Sequence, residues 1–284
     1  MNNIDIAFIG GSGLYKIPGF KHYRWTEVKS SFGKPSDSLC IGKLNNKKIA
    51  FLPRHGRDHS LPPSAINYRA NIECLKRINC KNIISLSAVG SLRKDYKPGD
   101  FVVVDQFIDR TYKREASFFD KEIVAHIPFA EPLCNNLRKI SIKTLKSLKF
   151  KYHKFGTYIC IEGPQFSTIA ESELYRSWGC DVIGMTNIPE AKLAREAGIC
   201  YCSVAMVTDY DCWHPDHNKV TVEQIVNTLK ENSDKAFKFI DMITNVDEIN
   251  CEKSITDVLS NSLITDLSKV NNSTKKRLKY ILLN

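Results

Sequence analysis

The chain has 284 residues, of which 43% are hydrophobic and 25% charged, a composition typical of a folded globular protein rather than a disordered one. This length accommodates one large α/β domain. Apolar stretches fall short of the roughly 18 residues that a membrane span needs, and the short run at 4–9 lacks the basic head of a signal peptide. We therefore expect a cytoplasmic protein with no membrane partner.

The formal net charge of +10 invites the hypothesis of an anionic partner, because a positive field concentrates anions. Many lysines, however, lie beside asparagines in surface-like stretches such as 146–154 and in the last part of the chain. No motif that reads DNA or RNA accompanies them. We therefore expect no nucleic-acid partner.

The ten cysteines form no C-x-x-C pair, and several lie in strongly apolar segments, as Cys200 and Cys202 do. This distribution predicts reduced, buried thiols rather than a disulfide framework or a zinc site.

Hydrophobic runs predict strands that alternate with helices along the chain. A buried strand at 5–9 leads into a glycine-rich loop, and further strands are predicted at 49–52, 82–86, 101–104, 156–161, 180–183 and 200–207. Helices are predicted at 63–77, 132–148, 167–178, 189–197 and 222–243. The alternation predicts a single-domain α/β fold over 1–244, with a mixed central β-sheet flanked by helices on both faces. Residues 245–284 are predicted to form a tail with one or two short helices.

Two capping signals place loops at strand ends. Ser167 is predicted to cap a helix whose first turn contains Glu171, and Pro189 is predicted to occupy the first position of the next helix. In open α/β sheets, ligands bind in the loops that precede such helices.

The first glycine-rich loop, 10–13, does not fit a dinucleotide fingerprint, because Lys16 stands where the third glycine belongs. Its backbone N–H groups and the Ser12 hydroxyl fit a small tetrahedral anion, although a purely structural turn is an equally good interpretation.

The segment 54–59 places two arginines and two histidines after another strand. An arginine offers a planar fork that pairs bidentately with phosphate oxygens, so Arg54 and His55 favour an anion pocket over a solvated basic turn. Gly56 argues against the helix that a zinc pair of His55 and His59 would need. If the strand ends converge, Ser12, Arg54, His55, Ser87 and Thr186 form a phosphate cradle.

Later strand ends carry residues suited to a flat base and a sugar. Phe166 offers an aromatic face and Met185 a thioether, although either could simply belong to the core. Asp209 and Asp211 alternate with aromatic residues after an apolar strand, so both acids should lie on one face. Such acids usually meet a proton donor, and a purine offers two, at its exocyclic amine and at a ring nitrogen. The alternatives are a glycosidase acid and base, or a metal site with His214 and His217.

Taken in order, these motifs resemble the methylthioadenosine phosphorylase branch of the trimeric purine nucleoside phosphorylase family. The resemblance covers 4–240 and is carried by the segments 10–14, 32–37, 54–57, 67–71, 90–92, 98–100, 105–111, 162–164, 170–171, 185–186, 196–199 and 208–213. It implies catalytic roles for Asp209 and Asp211. The implied phosphate-binding residues are Ser12, Arg54, His55, Ser87, Ala88 and Thr186. The implied nucleoside-binding residues are Phe166, Ser167, Met185, Asp209, Asp211, Val222, Ile225 and, from a neighbouring subunit, His126.

The resemblance also bears on the substrate. The 6-oxopurine branch of the family has an asparagine where this chain has Asp209, since a keto group needs a donor and an amine an acceptor. Where that branch has a histidine for a 5′-hydroxyl, Val222 and Ile225 favour a methylthio group, whose burial contributes roughly 1–2 kcal/mol. Two departures stand out: Gln165 replaces the family's arginine, and 245–284 diverges.

The implied function is phosphorolysis of S-methyl-5′-thioadenosine to adenine and 5-methylthio-ribose 1-phosphate, in methionine and purine salvage. The alternatives are phosphorolysis of adenosine or 6-oxopurine nucleosides, a hydrolytic nucleosidase, and a silent purine-binding protein. Inorganic phosphate is the expected co-substrate, and neither a metal nor an organic cofactor is expected. The resemblance further implies a homotrimer.

Overall fold

The computed structural model of the protein describes residues 3–11, 17–215 and 222–282, without the side chains at 222, 224–226 and 229. Within these ranges eleven strands form one mixed sheet: β1 Ile6–Gly10, β2 Lys21–Thr26, β3 Leu39–Leu44, β4 Lys47–Pro53, β5 Asn82–Ser91, β6 Phe101–Val103, β7 Gln106–Arg110, β8 Tyr152–His153, β9 Thr157–Ile161, β10 Val182–Gly184 and β11 Cys200–Tyr210. The helices in the same ranges are α1 Tyr68–Arg77, α2 Asn135–Ser147, α3 Ile169–Ser177, α4 Asn187–Glu196, α5 Val222–Thr244, α6 Lys253–Thr256, α7 Asn272–Arg277 and α8 Lys279–Leu282.

Helices cover both faces of the sheet, as the sequence predicted. Residues of β1 alternate between two apolar cores, with Ala7 and Ile9 in one and Ile6 and Phe8 in the other. Helices α1 and α4 pack on the first core, and α2 and α5 pack on the second. The predicted mixed α/β fold is confirmed.

Four neighbouring strands of the sheet run in the same direction. β4 pairs with β1, β1 with β5, and β5 with β11, all in parallel. The carboxyl ends of these strands therefore meet at one edge of the sheet, where the candidate residues of the sequence analysis are found. β10 adjoins this edge by pairing antiparallel with the end of β5, through Ile183 and Gly90.

The strands that the sequence analysis missed are β2, β3, β7 and β8. β2 is the edge strand of the sheet and is exposed or half-buried at every position, so it shows no alternation of apolar and polar residues. β8 spans two residues. Such short or solvated strands are formed by pairing with a neighbour and leave little pattern in the sequence.

Both predicted helix starts are displaced. Thr168, not Ser167, caps α3: its side chain accepts from the Glu171 N–H, and the Glu171 carboxylate accepts from the Thr168 N–H. Pro189 occupies the third position of α4, after Thr186 as the capping residue and a non-helical Ile188. The loop before α4 therefore ends at Thr186.

The prediction of reduced thiols is wrong for one pair. Cys200 at the start of β11 and Cys251 in the tail form a disulfide, across a sequence separation of 51 residues. The other eight cysteines are free, and seven of these are buried. Sequence spacing could not reveal the pair, because the two sulfurs meet only when the tail folds back on the sheet.

The tail packs on the domain that precedes it. Its apolar side chains, among them Val258, Val270 and Leu278, join the core that α1 and α4 share. Leu263 forms an antiparallel bridge with Ala125, and Arg277 forms an ion pair with Asp120. None of the helices in the described ranges has the length and hydrophobicity needed to cross a membrane.

Candidate functional site

A cavity of about 580 Å³ lies at the carboxyl edge of the parallel strands. Its volume is in the usual range for small-molecule sites. The cavity is lined by residues from six separate strand ends and loops, among them Gly11, Arg54, His55, Ser87, Ala88, Gly90, Phe166, Ser167, Met185, Thr186, Thr208, Asp209 and Asp211. Most candidates proposed from the sequence are therefore brought to one place.

One end of the cavity gathers the residues proposed for phosphate. Arg54 and His55 follow β4, Ser87 and Ala88 lie on β5, and Thr186 precedes α4. Ser12 lies outside the described residues, so its role stays a prediction. The neighbouring Gly11 does line the cavity.

Arg54 is held by a buried ion pair with Glu190 of α4. The two side chains are each 1% exposed, and Arg54 Nε and Nη2 donate to the two carboxylate oxygens at 2.8 and 2.9 Å. Burial alone disfavours the charged guanidinium, but Glu190 more than compensates and raises the pKa of Arg54 above its usual range. The fork that the sequence led us to assign to phosphate is thus occupied by Glu190. A phosphate contact by Arg54 stays a prediction for Nη1, which makes one long contact of 3.4 Å with Leu86 O.

Further buried hydrogen bonds tie this pair to the sheet. Tyr201 of β11 donates to Glu190 at 2.8 Å, and Arg54 Nη2 donates to the Ser85 hydroxyl of β5 at 2.5 Å. Asn187 donates to the same Ser85 oxygen at 3.1 Å and accepts from Ser203 at 2.6 Å. The network joins β4, β5, β11 and α4 directly beneath the cavity.

Three polar atoms of the cavity are buried without a hydrogen-bond partner among the described residues: Ser87 Oγ, Ser167 Oγ and Asp211 Oδ2. Buried polar atoms normally have hydrogen-bond partners. Three such atoms without a partner in one cavity therefore indicate that a polar ligand completes their hydrogen bonds. Ser87 lies at the end that gathers the residues proposed for phosphate, while Ser167 and Asp211 lie at the other.

Asp209 and Asp211 line the cavity next to an irregularity in β11. The pairing of β11 with β5 shifts register between Val207 and Asp209, which leaves Thr208 as an extra residue. The Thr208 hydroxyl then lies 2.6 Å from Asp209 Oδ1. Both acids face the same cavity, the arrangement that the alternating sequence predicted.

Burial changes the protonation of both acids. It raises the pKa of Asp209 to about 7, against the opposing hydrogen bond from Thr208 and with a contribution from the nearby Asp211 charge. It also raises the pKa of Asp211. Near neutral pH, the Asp209 carboxyl can therefore give or take a proton.

The two ends of the cavity are separated along β5. Ser87 pairs with Ala205 of β11, and Gly90 pairs with Asp209. Three residues of strand, at about 3.3 Å each, place Asp209 roughly 10 Å from Ser87, and Asp211 lies further along the chain. Between them the walls are formed by apolar and aromatic groups, including Ile183, Met185 and Phe166, of which Phe166 is 56% exposed.

Three proposed nucleoside-binding residues are not observed in this cavity. The side chains of Val222 and Ile225 lie outside the described part, so their contacts stay predictions. His126 lines a separate cavity of about 260 Å³ together with Phe129, Lys192 and Glu196. His126 thus does not reach the site of its own chain.

Arg114 was not identified from the sequence, although it braces the middle of the site. Its side chain is 1% exposed. It donates from Nη1 to the carbonyls of Met185 and Ile188 at 2.6 and 2.7 Å, and from Nη2 to the carbonyl of Glu162 at 2.8 Å. One guanidinium therefore holds the loop after β9 against the loop after β10, and both loops form cavity walls.

Glu162 completes this brace. Its carboxylate accepts from the Tyr112 N–H at 2.6 Å, from Arg114 Nε at 3.2 Å and from the Ser64 hydroxyl. Although burial opposes ionisation, the hydrogen bonds from Ser64 and the backbone prevail and lower the pKa of Glu162 to about 2. Arg114 lies in a polar loop without periodicity, so only its three-dimensional partners reveal its role.

Comparison with known proteins agrees with this geometry. A model of the phosphorylase superfamily matches residues 5–245. The S-methyl-5′-thioadenosine phosphorylase of Rhodospirillum rubrum is 58% identical over 231 residues, which cover 81% of this chain and 79% of the relative. The protein of the same name from Koribacter versatilis is 48% identical over 278 residues, or 98% of this chain and 95% of the relative.

Solved structures show the same relationship. A methylthioadenosine phosphorylase from an antarctic soil metagenomic library superposes with a TM-score of 0.94 at 42% identity, over 99% of this chain and 100% of that one. The methylthioadenosine phosphorylase of Schistosoma mansoni, in complex with adenine, superposes with a TM-score of 0.81 at 36% identity, over 85% and 91% of the two chains.

The Arg54–Glu190 pair generates a prediction about stability. Glu190→Gln leaves a buried guanidinium without its counter-charge, so we expect the free energy of unfolding to fall by about 3–5 kcal/mol in urea titrations. Glu173→Gln is the matched control, because its pair with Arg176 is exposed and should contribute under about 1 kcal/mol. Equal losses in the two variants would contradict the proposed importance of the buried pair.

Proposed function

The chain belongs to the phosphorylase superfamily, and on that premise we propose that it cleaves S-methyl-5′-thioadenosine with inorganic phosphate. The products are adenine and 5-methylthio-ribose 1-phosphate, so the enzyme is a pentosyltransferase of methionine and purine salvage. The observation that carries the proposal is one cavity with hydrogen-bonding groups for an anion at one end and two buried acids at the other, of which Asp209 is roughly 10 Å away. A nucleoside held between them has its glycosidic bond facing the anion.

At the phosphate end, we assign binding to Ser12, Arg54, His55, Ser87, Ala88 and Thr186. The unpartnered Ser87 hydroxyl supports this assignment, since a phosphate oxygen would satisfy it. Phosphate attacks C1′ of the sugar on the face opposite the departing base. The bond from C1′ to N9 of adenine breaks as the bond from C1′ to a phosphate oxygen forms.

At the base end, we assign Asp209 as the proton donor to N7 of adenine. Electron density flows into the purine as the glycosidic bond breaks, and protonation at N7 stabilises the departing base. Asp211 and Ser167 contact the same end, supported by their unpartnered buried oxygens. A carboxyl oxygen of Asp211 accepts from the exocyclic amine, which favours adenine over a 6-oxopurine.

The sugar and base lie between Phe166 and Met185 in this proposal. The aromatic ring of Phe166 stacks on the base, and Met185 lies against the ribose. Val222 and Ile225 are assigned to the 5′-methylthio group on the basis of the family resemblance. Inorganic phosphate is a co-substrate, and we propose that the enzyme works in the cytoplasm with neither a metal nor an organic cofactor.

We also propose a homotrimer in which His126 completes the site of a neighbouring subunit. Phe166, which lines the cavity, is 56% exposed. Ile169, two residues after Ser167, is 67% exposed, and Tyr112, whose N–H binds Glu162, is 77% exposed. Exposed apolar groups of this kind are typical of protein interfaces. His126, itself exposed and remote from the site of its own chain, then lies where it can serve another.

The function is tested by offering methylthioadenosine, adenosine and inosine separately, with and without phosphate, and measuring base release. We expect phosphate-dependent release of adenine, fastest from methylthioadenosine. Base release in phosphate-free buffer would indicate a hydrolytic nucleosidase instead. Preferred cleavage of inosine would indicate a 6-oxopurine phosphorylase.

The assignment of Asp209 predicts a pH dependence. Because its pKa is raised to about 7, Asp209 is protonated and competent below that pH and loses its proton above it. We expect kcat/KM for methylthioadenosine to fall as the pH rises, along a limb of the pH profile centred near pH 7. Asp209→Asn should lose about 10²–10³-fold in kcat/KM at pH 6 and should lack this limb.

Asp211→Asn is the control for that profile. Burial is the main cause of the Asp209 shift and survives this change, so the limb should persist near neutral pH. A limb that disappears in Asp211→Asn and persists in Asp209→Asn would transfer the proton donor to Asp211.

Arg114 is predicted to act as a positioning residue for the nucleoside. Arg114→Met should reduce kcat/KM for methylthioadenosine by about 10- to 100-fold, because the two loops that carry Glu162 and Met185 lose their common anchor. Arg114→Lys should not restore activity, since one ammonium cannot replace a planar fork.

Arg138→Met provides the matched control for Arg114→Met. Arg138 also donates to two backbone carbonyls, those of Val104 and Lys154, but away from the cavity. We expect it to lower thermal stability without raising the nucleoside KM. If Arg114→Met and Arg138→Met changed the nucleoside KM equally, Arg114 would have only a general structural role.

A further inference from the structure

His55 has a defined tautomer. Its Nδ1 lies 2.8 Å from the carbonyl oxygen of Leu61, on the same loop. A carbonyl oxygen only accepts hydrogen bonds, so Nδ1 must carry the hydrogen. In the neutral ring Nε2 then carries a lone pair and no hydrogen.

The surroundings keep this ring neutral. Burial lowers the pKa of His55 to about 4, and the neighbouring Arg54 charge and His59 ring act in the same direction. The hydrogen bond to Leu61 and the Glu190 carboxylate oppose this shift and do not reverse it. At neutral pH, Nε2 is therefore an acceptor.

The edge of the ring that lies away from Nδ1 is next to Gly11. A Cβ added to Gly11 would lie 3.7 Å from His55 Cδ2, the carbon bonded to Nε2. Gly11 and His55 both line the cavity. Nδ1 is thus engaged by its own loop, while the acceptor edge lies beside the proposed phosphate.

We propose that His55 selects a protonated oxyanion, with Nε2 accepting a hydrogen bond from a P–OH group. This inference rests on the proposed function, because the anion in question is the co-substrate. At neutral pH, inorganic phosphate carries at least one hydrogen and arsenate does likewise. Sulfate carries none, so its oxygens would meet the Nε2 lone pair without a hydrogen between them.

The other groups at this end do not discriminate in this way. Arg54 donates only, and its charge is offset by Glu190. The Ser87 and Thr186 hydroxyls can donate or accept as the anion requires. Among these assigned side chains His55 is held as an acceptor, so it distinguishes two tetrahedral anions of similar size.

The test compares phosphate, arsenate and sulfate on the whole protein. Direct titration calorimetry gives the three dissociation constants, and steady-state kinetics gives the KM of phosphate and the inhibition constant of sulfate. We expect arsenate to replace phosphate and sulfate to bind about 10- to 100-fold more weakly, as expected for one unpaired buried acceptor. Sulfate that binds as tightly as phosphate would overturn the proposal.

Two variants assign the effect to one ring. The amide of His55→Gln can turn either its oxygen or its nitrogen toward the anion, so the ratio of sulfate to phosphate dissociation constants should approach one. His59→Gln should keep the wild-type ratio. An unchanged ratio in His55→Gln contradicts the inference.

The binding measurements distinguish a failure of the proposed function from a failure of the role assigned to His55. If phosphate binds in preference to sulfate but methylthioadenosine is not cleaved, the proposed function fails while the selectivity of His55 stands. If turnover depends on phosphate and sulfate binds equally well, the function stands and the role of His55 is wrong. Failure of all three anions to bind overturns the inference as well.

Discussion

The buried ion pair between Arg54 and Glu190 is the constraint on which the site depends. Neither charge is tolerated alone in an interior of low dielectric, so the loop after β4 and the helix α4 must lie together wherever the protein is folded. Ser85 and Tyr201 extend the pair into the central strands of the sheet. The floor of the cavity is therefore part of the core, and the position of its anion end follows from folding itself.

The Arg54–Glu190 pair also determines how much net charge the cavity carries. With Arg54 largely neutralised and His55 uncharged, the proposed phosphate end provides directed hydrogen bonds and little net positive charge. At the other end, burial keeps a proton near Asp209 at neutral pH. Such opposite adjustments of titratable groups within one cavity are a recurring device for acid chemistry near pH 7.

Much of the site could be predicted because its residues stand at strand ends. Arg54, Ser87 and Asp209 each follow an apolar run, and parallel strands bring such positions to one edge. The partners Glu190 and Arg114 could not be found in this way. Glu190 is 136 residues from Arg54 and lies on a helix whose sequence looks unremarkable, and the brace made by Arg114 consists mainly of bonds to backbone carbonyls. The disulfide of Cys251 was missed for the same reason, because Cys200 comes close to it only in the folded chain.

Residue type and proton position are determined at different levels of structure. The sequence predicts that an imidazole and two carboxyl groups meet a ligand at this edge, because those residues follow predicted strands. It cannot predict that the carbonyl of Leu61 fixes the hydrogen on His55 Nδ1, or that the displaced register of β11 places the Thr208 hydroxyl beside Asp209. Those neighbours decide which group donates and which accepts. The direction of the proposed proton transfer is thus a property of the fold, although the groups proposed to exchange the proton are visible in the chain.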